Sequence, residues 1–301
     1  LSESAPERWL TLEIPRPPEE DRQAILVEIL LGWAPQGVEE RPASLVVYLP
    51  DPADPPEEIA RAVGAQLAEA LGESDPIRVG TSWQAHQAWS EIWRQGFRAR
   101  RITDRLVVAP SWDPPQREPG DVVLVLDPGM AFGTAEHPTT RGCLRLLDPR
   151  VRVGTRIADI GAGSGVLSIA AALLGAERVV AVELDPWAVT AARENVDTNA
   201  VSDRVEVRSG AVGPSFLPGE LPFDGILANI EAAILLPLLA GFRSGLVEGG
   251  WLILSGILSH DAERVWQTAL THGFRLEEED REGDWWSGAF TALPPQGADG
   301  G

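Results

Sequence analysis

The chain has 301 residues, 44% of them hydrophobic and 23% charged, a composition that fits a folded globular protein of about two domains. Its formal net charge of −20 sets 45 acidic residues against 25 basic ones, all of them arginine. That balance disfavours sequence-independent binding to nucleic acid and suits a basic protein partner. The single cysteine, Cys143, excludes an internal disulfide and a cysteine-built zinc cluster, and no metal is expected. No apolar run approaches the roughly 20 residues of a membrane span, and the opening residues lack the basic-then-apolar order of a signal peptide. The expected compartment is the cytoplasm.

Residues 1–80 read as a small α+β unit. Trp9-Leu10-Thr11-Leu12-Glu13-Ile14 alternates as a strand does and stops at Pro15. Ile25, Leu26, Ile29, Leu30 and Trp33 recur at helical spacing over 19–33, a second strand covers 44–49, and Ile59, Val63, Leu67 and Leu71 mark a helix over 56–71 closed by Gly72. A last strand is expected near Ile77-Arg78-Val79, giving a ferredoxin-like or related two-layer module. Residues 81–119 form a Trp-rich bridge in which Trp89 and Trp93, four apart, would share a helix face, flanked by Trp83 and Trp112. Aromatic rings in such a segment most often serve packing.

Residues 120–301 carry a different pattern. Apolar strands at 156–160, 179–183, 205–208, 225–228 and 251–255 are separated by helical stretches such as 167–174 and 188–198, the signature of an open, mostly parallel α/β sheet. Ligands in such sheets bind beyond the C-terminal ends of the strands.

The first of these strands runs into Asp159-Ile160-Gly161-Ala162-Gly163-Ser164-Gly165. Glycines let the backbone turn tightly and approach a ligand. Their spacing is G-x-G-x-G, with Val166 where a dinucleotide fingerprint has its third glycine. Asp159, just before the turn, suits an adenosylmethionine site, where it can orient loop amides or receive the donor's amino group. Glu183 ends the next strand 22 residues after Gly161, placed to accept ribose hydroxyls. Asp185 reads equally as the cap of the following helix. Asn229 ends the fourth strand, where methyl and nucleophile would meet, although strand-ending Asn is also common in plain turns. Upstream, the loop 127–140 gathers glycines, hydroxyls, Phe132, Gly133, His137 and Thr140 as a candidate pocket wall. His137 has no evident carboxylate partner and reads as a positioning group rather than a base.

Together, Phe132-Gly133-Thr134 with His137-Pro138-Thr139-Thr140, the turn 159–165, Ala228-Asn229-Ile230 and Ser255-Gly256-Ile257-Leu258 resemble the bacterial ribosomal protein L-eleven methyltransferase family, and the resemblance runs through most of the chain. It implies a ferredoxin-like substrate-recognition domain, a linker, and a class I methyltransferase domain with a Rossmann-like, seven-stranded, mostly parallel sheet. It further implies methyl transfer from S-adenosylmethionine to lysine side chains or the N-terminal amine of that ribosomal protein. Thr140, Gly161, Glu183 and Asn229 are implied as donor-binding residues, beside Asp159, Gly163, Phe132 and Gly133, with Asn229 also positioning the acceptor. Ala135 and Glu136 in the loop, Glu183 in place of the frequent Asp, and Ile230-Glu231-Ala232-Ala233 depart from the family pattern. The competing expectations are a methyltransferase for another protein or a small-molecule amine, and an adenosylmethionine-binding assembly factor without activity.

Overall fold

The computed structural model describes residues 8–34, 38–41, 43–85, 98–127, 135, 137–213 and 222–294, and the chain divides into two compact units, 1–96 and 97–301.

In the first unit the elements run β1 (Arg8–Pro15), α1 (Glu20–Trp33), β2 (Glu39–Glu40), β3 (Ser44–Pro50), α2 (Pro56–Leu71) and β4 (Gly80–Ala85). The sheet order is β2-β3-β1-β4 with every pairing antiparallel. Alternation in β1 sends Leu10, Leu12 and Ile14 into a core shared with Leu26 and Leu30 of α1 and Ile59, Val63 and Leu67 of α2. α2 begins with proline in its first turn, carries Glu57 and Glu58 there, and ends on Gly72 in the left-handed conformation.

The last strand begins at Gly80 rather than at 77–79. Ile77 N donates to Gly64 O of α2 at 3.0 Å, so this stretch is tied to the helix and cannot also ladder onto β1. Gly64 permits that contact, because a Cβ there would stand 2.3 Å from Ile77 O. Helix propensity favours Ala over Gly by about 1 kcal/mol, and overpacking against a backbone atom costs about 1–3 kcal/mol, so the clash wins. Gly32 of α1 has open space around it. Gly64→Ala therefore lowers the thermal unfolding midpoint, whereas Gly32→Ala raises it slightly, a contrast that paired melting curves read directly.

In the second unit a three-stranded sheet, β5 (Arg100–Arg101), β6 (Leu106–Ala109) and β7 (Val122–Val125), precedes the large domain. β6 and β7 are parallel. The Asn199 side chain seals β7 by accepting from Val125 N at 2.8 Å and donating to Val125 O at 2.7 Å. Trp89 and Trp93 lie outside the described residues.

Then follow α3 (Pro138–Leu147), β8 (Arg156–Ile160), α4 (Val166–Leu174), β9 (Arg178–Glu183), α5 (Pro186–Thr198), β10 (Val205–Ser209), β11 (Phe223–Asn229), α6 (Ala232–Leu235), α7 (Leu239–Gly245), β12 (Leu246–Leu258), α8 (Ala262–Thr271), β13 (Phe274–Glu282) and β14 (Trp285–Ala292). The large sheet has seven strands in the order β10-β9-β8-β11-β12-β14-β13. β8 to β12 pair in parallel, and β14 is antiparallel to both its neighbours. One face packs on α3, α4 and the three-stranded sheet, and the other on α6–α8. Coverage of both faces explains the nearly unbroken apolar strands.

Candidate active site

Strand order reverses about β8, which lies between β9 and β11, so the sheet edge at Ile160, Glu183 and Asn229 is where ligands bind in this sheet type. After Ile160 the chain turns through Gly161, Gly163 and Gly165, with φ of 71°, 54° and 80°, a conformation that disfavours any side chain. Gly161 N and Ala162 N donate to Val182 O at 2.9 and 3.1 Å. Gly163 N donates to Glu183 Oε2 at 2.8 Å, while Glu183 Oε1 accepts from Leu184 N at 2.7 Å and Asp185 N at 2.9 Å. Glu183 thus fixes the glycine turn, and a carboxylate's acceptor capacity of about four bonds leaves room for a hydroxyl. Asp185 caps α5, its Oδ1 accepting from Trp187 N at 3.0 Å.

Asp159 stands opposite Leu227 in the β8–β11 ladder, Asn229 lies two residues further along β11, and Ser255 stands opposite Asn229. With a side-chain period of two, all three project to the face carrying Ile157, Leu227 and Ile253, which share a core with α3 and α4. Thr140 lies in the first turn of α3 and is completely buried. On this face Thr140 Oγ1, Asp159 Oδ1 and Asn229 Oδ1 are buried without a hydrogen-bond partner among the described residues. Each such atom costs about 1–3 kcal/mol. Three of the six such atoms among the described residues gather at this sheet edge, which makes it the candidate place for a ligand's polar groups.

Asp159 has no exposure. Burial pushes its pKa up to about 6, opposed by the 2.6 Å bond from Ser168 Oγ to Oδ2 and assisted by the charge of Glu183. Cys143, in α3, is held up to about 12 by burial and is no nucleophile at neutral pH. His137 caps α3 through Nδ1, which lies 3.4 Å from Thr139 N and 2.7 Å from Thr139 Oγ1. Its ring stands edge-on to Trp285 with centroids 4.9 Å apart. Burial first, and then the Arg141 charge, lower its pKa, so it is neutral at pH 7. From beneath, Ser255 Oγ lies 3.2 Å from Thr139 O and 2.6 Å from Ser287 Oγ.

The structure thus brings Thr140, Asp159 and Asn229 to one face of one sheet edge, and joins Glu183 to the turn at Gly161 and Gly163. Phe132 and Gly133 lie outside the described residues. Sequence reasoning missed Ser168, although a lone serine among the apolar residues of α4 was a readable signal. It also missed the ion pairs beneath α3, whose partners are 135–141 residues apart.

This sheet order, with a glycine turn after β8 and an acidic residue ending β9, is that of a class I methyltransferase. The family model described as "Ribosomal protein L11 methyltransferase (PrmA)" matches residues 40–292, and the chain belongs to this family. A relative named ribosomal protein L11 methyltransferase in Chloroflexus aurantiacus is 39% identical over 270 residues, covering 81% of each chain. One of the same name in Geobacter metallireducens is 39% identical over 251 residues, covering 82% of each. The crystal structure of ribosomal protein L11 methylase from Lactobacillus delbrueckii subsp. bulgaricus is 33% identical, with a TM-score of 0.58 over 66% of this chain and all of that one.

The site's donor set fits S-adenosylmethionine. Asp159 offers an unpartnered anionic oxygen to an ammonium group, Glu183 retains capacity for a ribose hydroxyl, and the glycine turn admits close approach.

Two outcomes follow. Because the folded pKa of Asp159 is raised above its ordinary 3.8 to about 6, its contribution to stability is full below pH 4 and is lost as pH rises through 6. Relative to Asp159→Asn, the ligand-free protein loses about 2–3 kcal/mol across that window, measurable by urea unfolding at several pH values; parallel curves would contradict it. Gly256 has φ +78°, and a Cβ on it would lie 2.8–2.9 Å from backbone atoms of Ile230. Gly256→Ala displaces the turn after Asn229 and lowers kcat/KM about ten- to a hundred-fold while far-UV circular dichroism is retained.

Proposed function

We propose that the protein transfers methyl groups from S-adenosylmethionine to amines of ribosomal protein L11, lysine side chains or the N-terminal amine. The observation that carries this reading is the trio of unpartnered buried atoms, Thr140 Oγ1, Asp159 Oδ1 and Asn229 Oδ1, beside a glycine turn held by Glu183. In this reading Thr140, Asp159, Gly161, Gly163, Glu183 and Asn229 hold the donor, with Phe132 and Gly133 of the preceding loop. When bound, the donor supplies an electrophilic methyl group on a sulfonium.

The acceptor has to arrive as a neutral amine. A free lysine has a pKa of about 10.4, and burial beside a cationic centre lowers it. A dedicated base is then unnecessary, and alignment supplies much of the rate. Asn229 Oδ1 is an acceptor for an N–H of the incoming amine, orienting its lone pair. Glu231, exposed at the start of α6, adds negative charge two residues from Asn229, which favours an approaching ammonium over a neutral nucleophile. The chain contains no lysine, so it has no side-chain amine of its own to compete.

The first unit serves as the substrate-recognition domain, and its β-α-β-β-α-β element sequence and strand order β2-β3-β1-β4 support a ferredoxin-like assignment. The chain's net charge of −20 suits a basic protein acceptor. No helix among the described residues is long and apolar enough to cross a membrane. A ribosomal substrate supports a cytoplasmic site for the proposed reaction.

Incubating L11 with enzyme and donor adds 14 Da increments to L11 by mass spectrometry, located on lysines or the N-terminus by peptide mapping. Unmodified L11, with label appearing on another protein or a small amine, would overturn the acceptor assignment. Asn229→Ala lowers turnover on L11 at least ten-fold, and full turnover by that variant would remove Asn229 from the site.

A further inference from the structure

The helix that presents Thr140 is fastened from the far side by a ladder of four charged residues. Arg141 and Arg145 lie one turn apart on α3, and Asp280 and Glu282 lie two apart on β13, so each pair shares a face of its own element. Arg145 Nε lies 2.7 Å from Asp280 Oδ2, and its Nη2 lies 2.6 Å from Asp280 Oδ1 and 2.8 Å from Glu282 Oε2. Arg141 Nε lies 3.0 and 3.2 Å from the two Glu282 oxygens, and its Nη2 also donates to that carboxylate. The remaining edge of the Arg141 guanidinium faces the other way: Nη1 donates to Ala135 O at 3.0 Å. Ala135 is buried and precedes the helix cap, His137, by two residues.

The fork geometry of arginine is used in full here. One edge, Nε and Nη2, grips a carboxylate on the last hairpin, while Nη1 holds the backbone leading into α3. A lysine ammonium is a point charge on a flexible stem and can keep the ion pair, but it lacks the second edge needed to hold a carbonyl on the opposite side. Ion pairing with Glu282 explains why α3 stays on β13. It does not explain the bond to Ala135 O, which adds nothing to that packing and instead fixes where the chain enters the helix.

We infer that Arg141 is a positioning residue for the methyl-donor site, setting the first turn of α3, and with it Thr140, by bridging Glu282 and the Ala135 carbonyl. The inference rests on the proposed donor role of Thr140. It makes the β13–β14 hairpin, remote in sequence from the glycine turn, a determinant of donor affinity.

The test uses the full chain and S-adenosylmethionine. Arg141→Lys keeps the charge opposite Glu282 but releases the Ala135 carbonyl, so its melting temperature falls by less than that of Glu282→Gln, which removes the charge. Its dissociation constant for the donor, by calorimetry, rises about ten-fold. In steady state the KM for the donor rises by more than kcat falls, and the KM for the methyl acceptor is unmoved. Glu282→Gln weakens donor binding in the same direction and also lowers the melting temperature. Arg141→Lys that binds donor as tightly as the parent would overturn the proposal, as would equal changes in both KM values. Thr140→Val separates the two levels. Undiminished donor affinity in that variant sinks the donor-site reading itself, whereas weakened affinity there with normal affinity in Arg141→Lys sinks only the bridge.

Discussion

Ile230 is gripped between two residues that have no side chain, and the geometry of the site depends on that grip. A Cβ on Gly161, at the end of β8, would stand 2.5 Å from Ile230 Cγ2, and one on Gly256, within β12, would meet the Ile230 backbone. Ile230 N meanwhile donates to Ser255 O at 3.1 Å. Three strand ends therefore approach more closely than any residue but glycine permits. Ile230 packs towards the α6–α8 face, so strand alternation sends its neighbour Asn229 to the opposite face, the one shared by Asp159 and Thr140. Loss of Gly256 would not remove a ligand contact directly. It would move the frame from which those contacts project.

That frame leaves polar groups unsatisfied. Asp159 is a buried carboxylate with one oxygen held by Ser168 and the other unpartnered. Thr140 and Asn229 each bury an oxygen in the same condition. Folded proteins tolerate few such atoms, and packing alone would favour apolar replacements at all three positions. Their presence at one edge of one sheet is intelligible if a bound molecule supplies the missing donors, so that part of the binding energy is stored as incomplete hydrogen bonding in the free protein. Glu183 follows the opposite logic. It is satisfied by three backbone amides without ligand, so it pre-shapes the glycine turn and still retains acceptor capacity.

What could be read from the sequence was local. The glycine turn, Glu183 and the strand-ending Asn229 were legible because short-range spacing encodes them: a strand runs into a turn, and an acid ends the next strand. Helix α2 was legible end to end, from its first-turn proline to its left-handed glycine. The features that escaped depend on partners distant in the chain. The strand expected at 77–79 yields to a bond between Ile77 and Gly64 of α2. β6 and β7 form a parallel pair that alternation alone does not announce, and β13 is so rich in acids that its apolar pattern is weak. The Arg141–Glu282 pair spans 141 residues, and nothing local distinguishes those two charges from others on the surface. The rarest motif, Phe-Gly-Thr-x-x-His-Pro-Thr-Thr, carried the family resemblance, yet only its second half lies among the described residues.

Charge and contact do different work in such a protein. A net charge of −20 attracts any basic partner, but the field of separate surface charges is screened beyond about 8 Å at physiological ionic strength. It accelerates encounter without choosing one amine from another. Close to the strand ends the chain places an unpartnered acceptor oxygen at Asn229 and an exposed acid at Glu231, on either side of the residue that the two glycines hold. A cationic amine passing Glu231 is attracted while charged, yet it is nucleophilic only once neutral. The close packing of Gly161 and Gly256 on Ile230 thus fixes where the two residues flanking it, Asn229 and Glu231, leave the sheet.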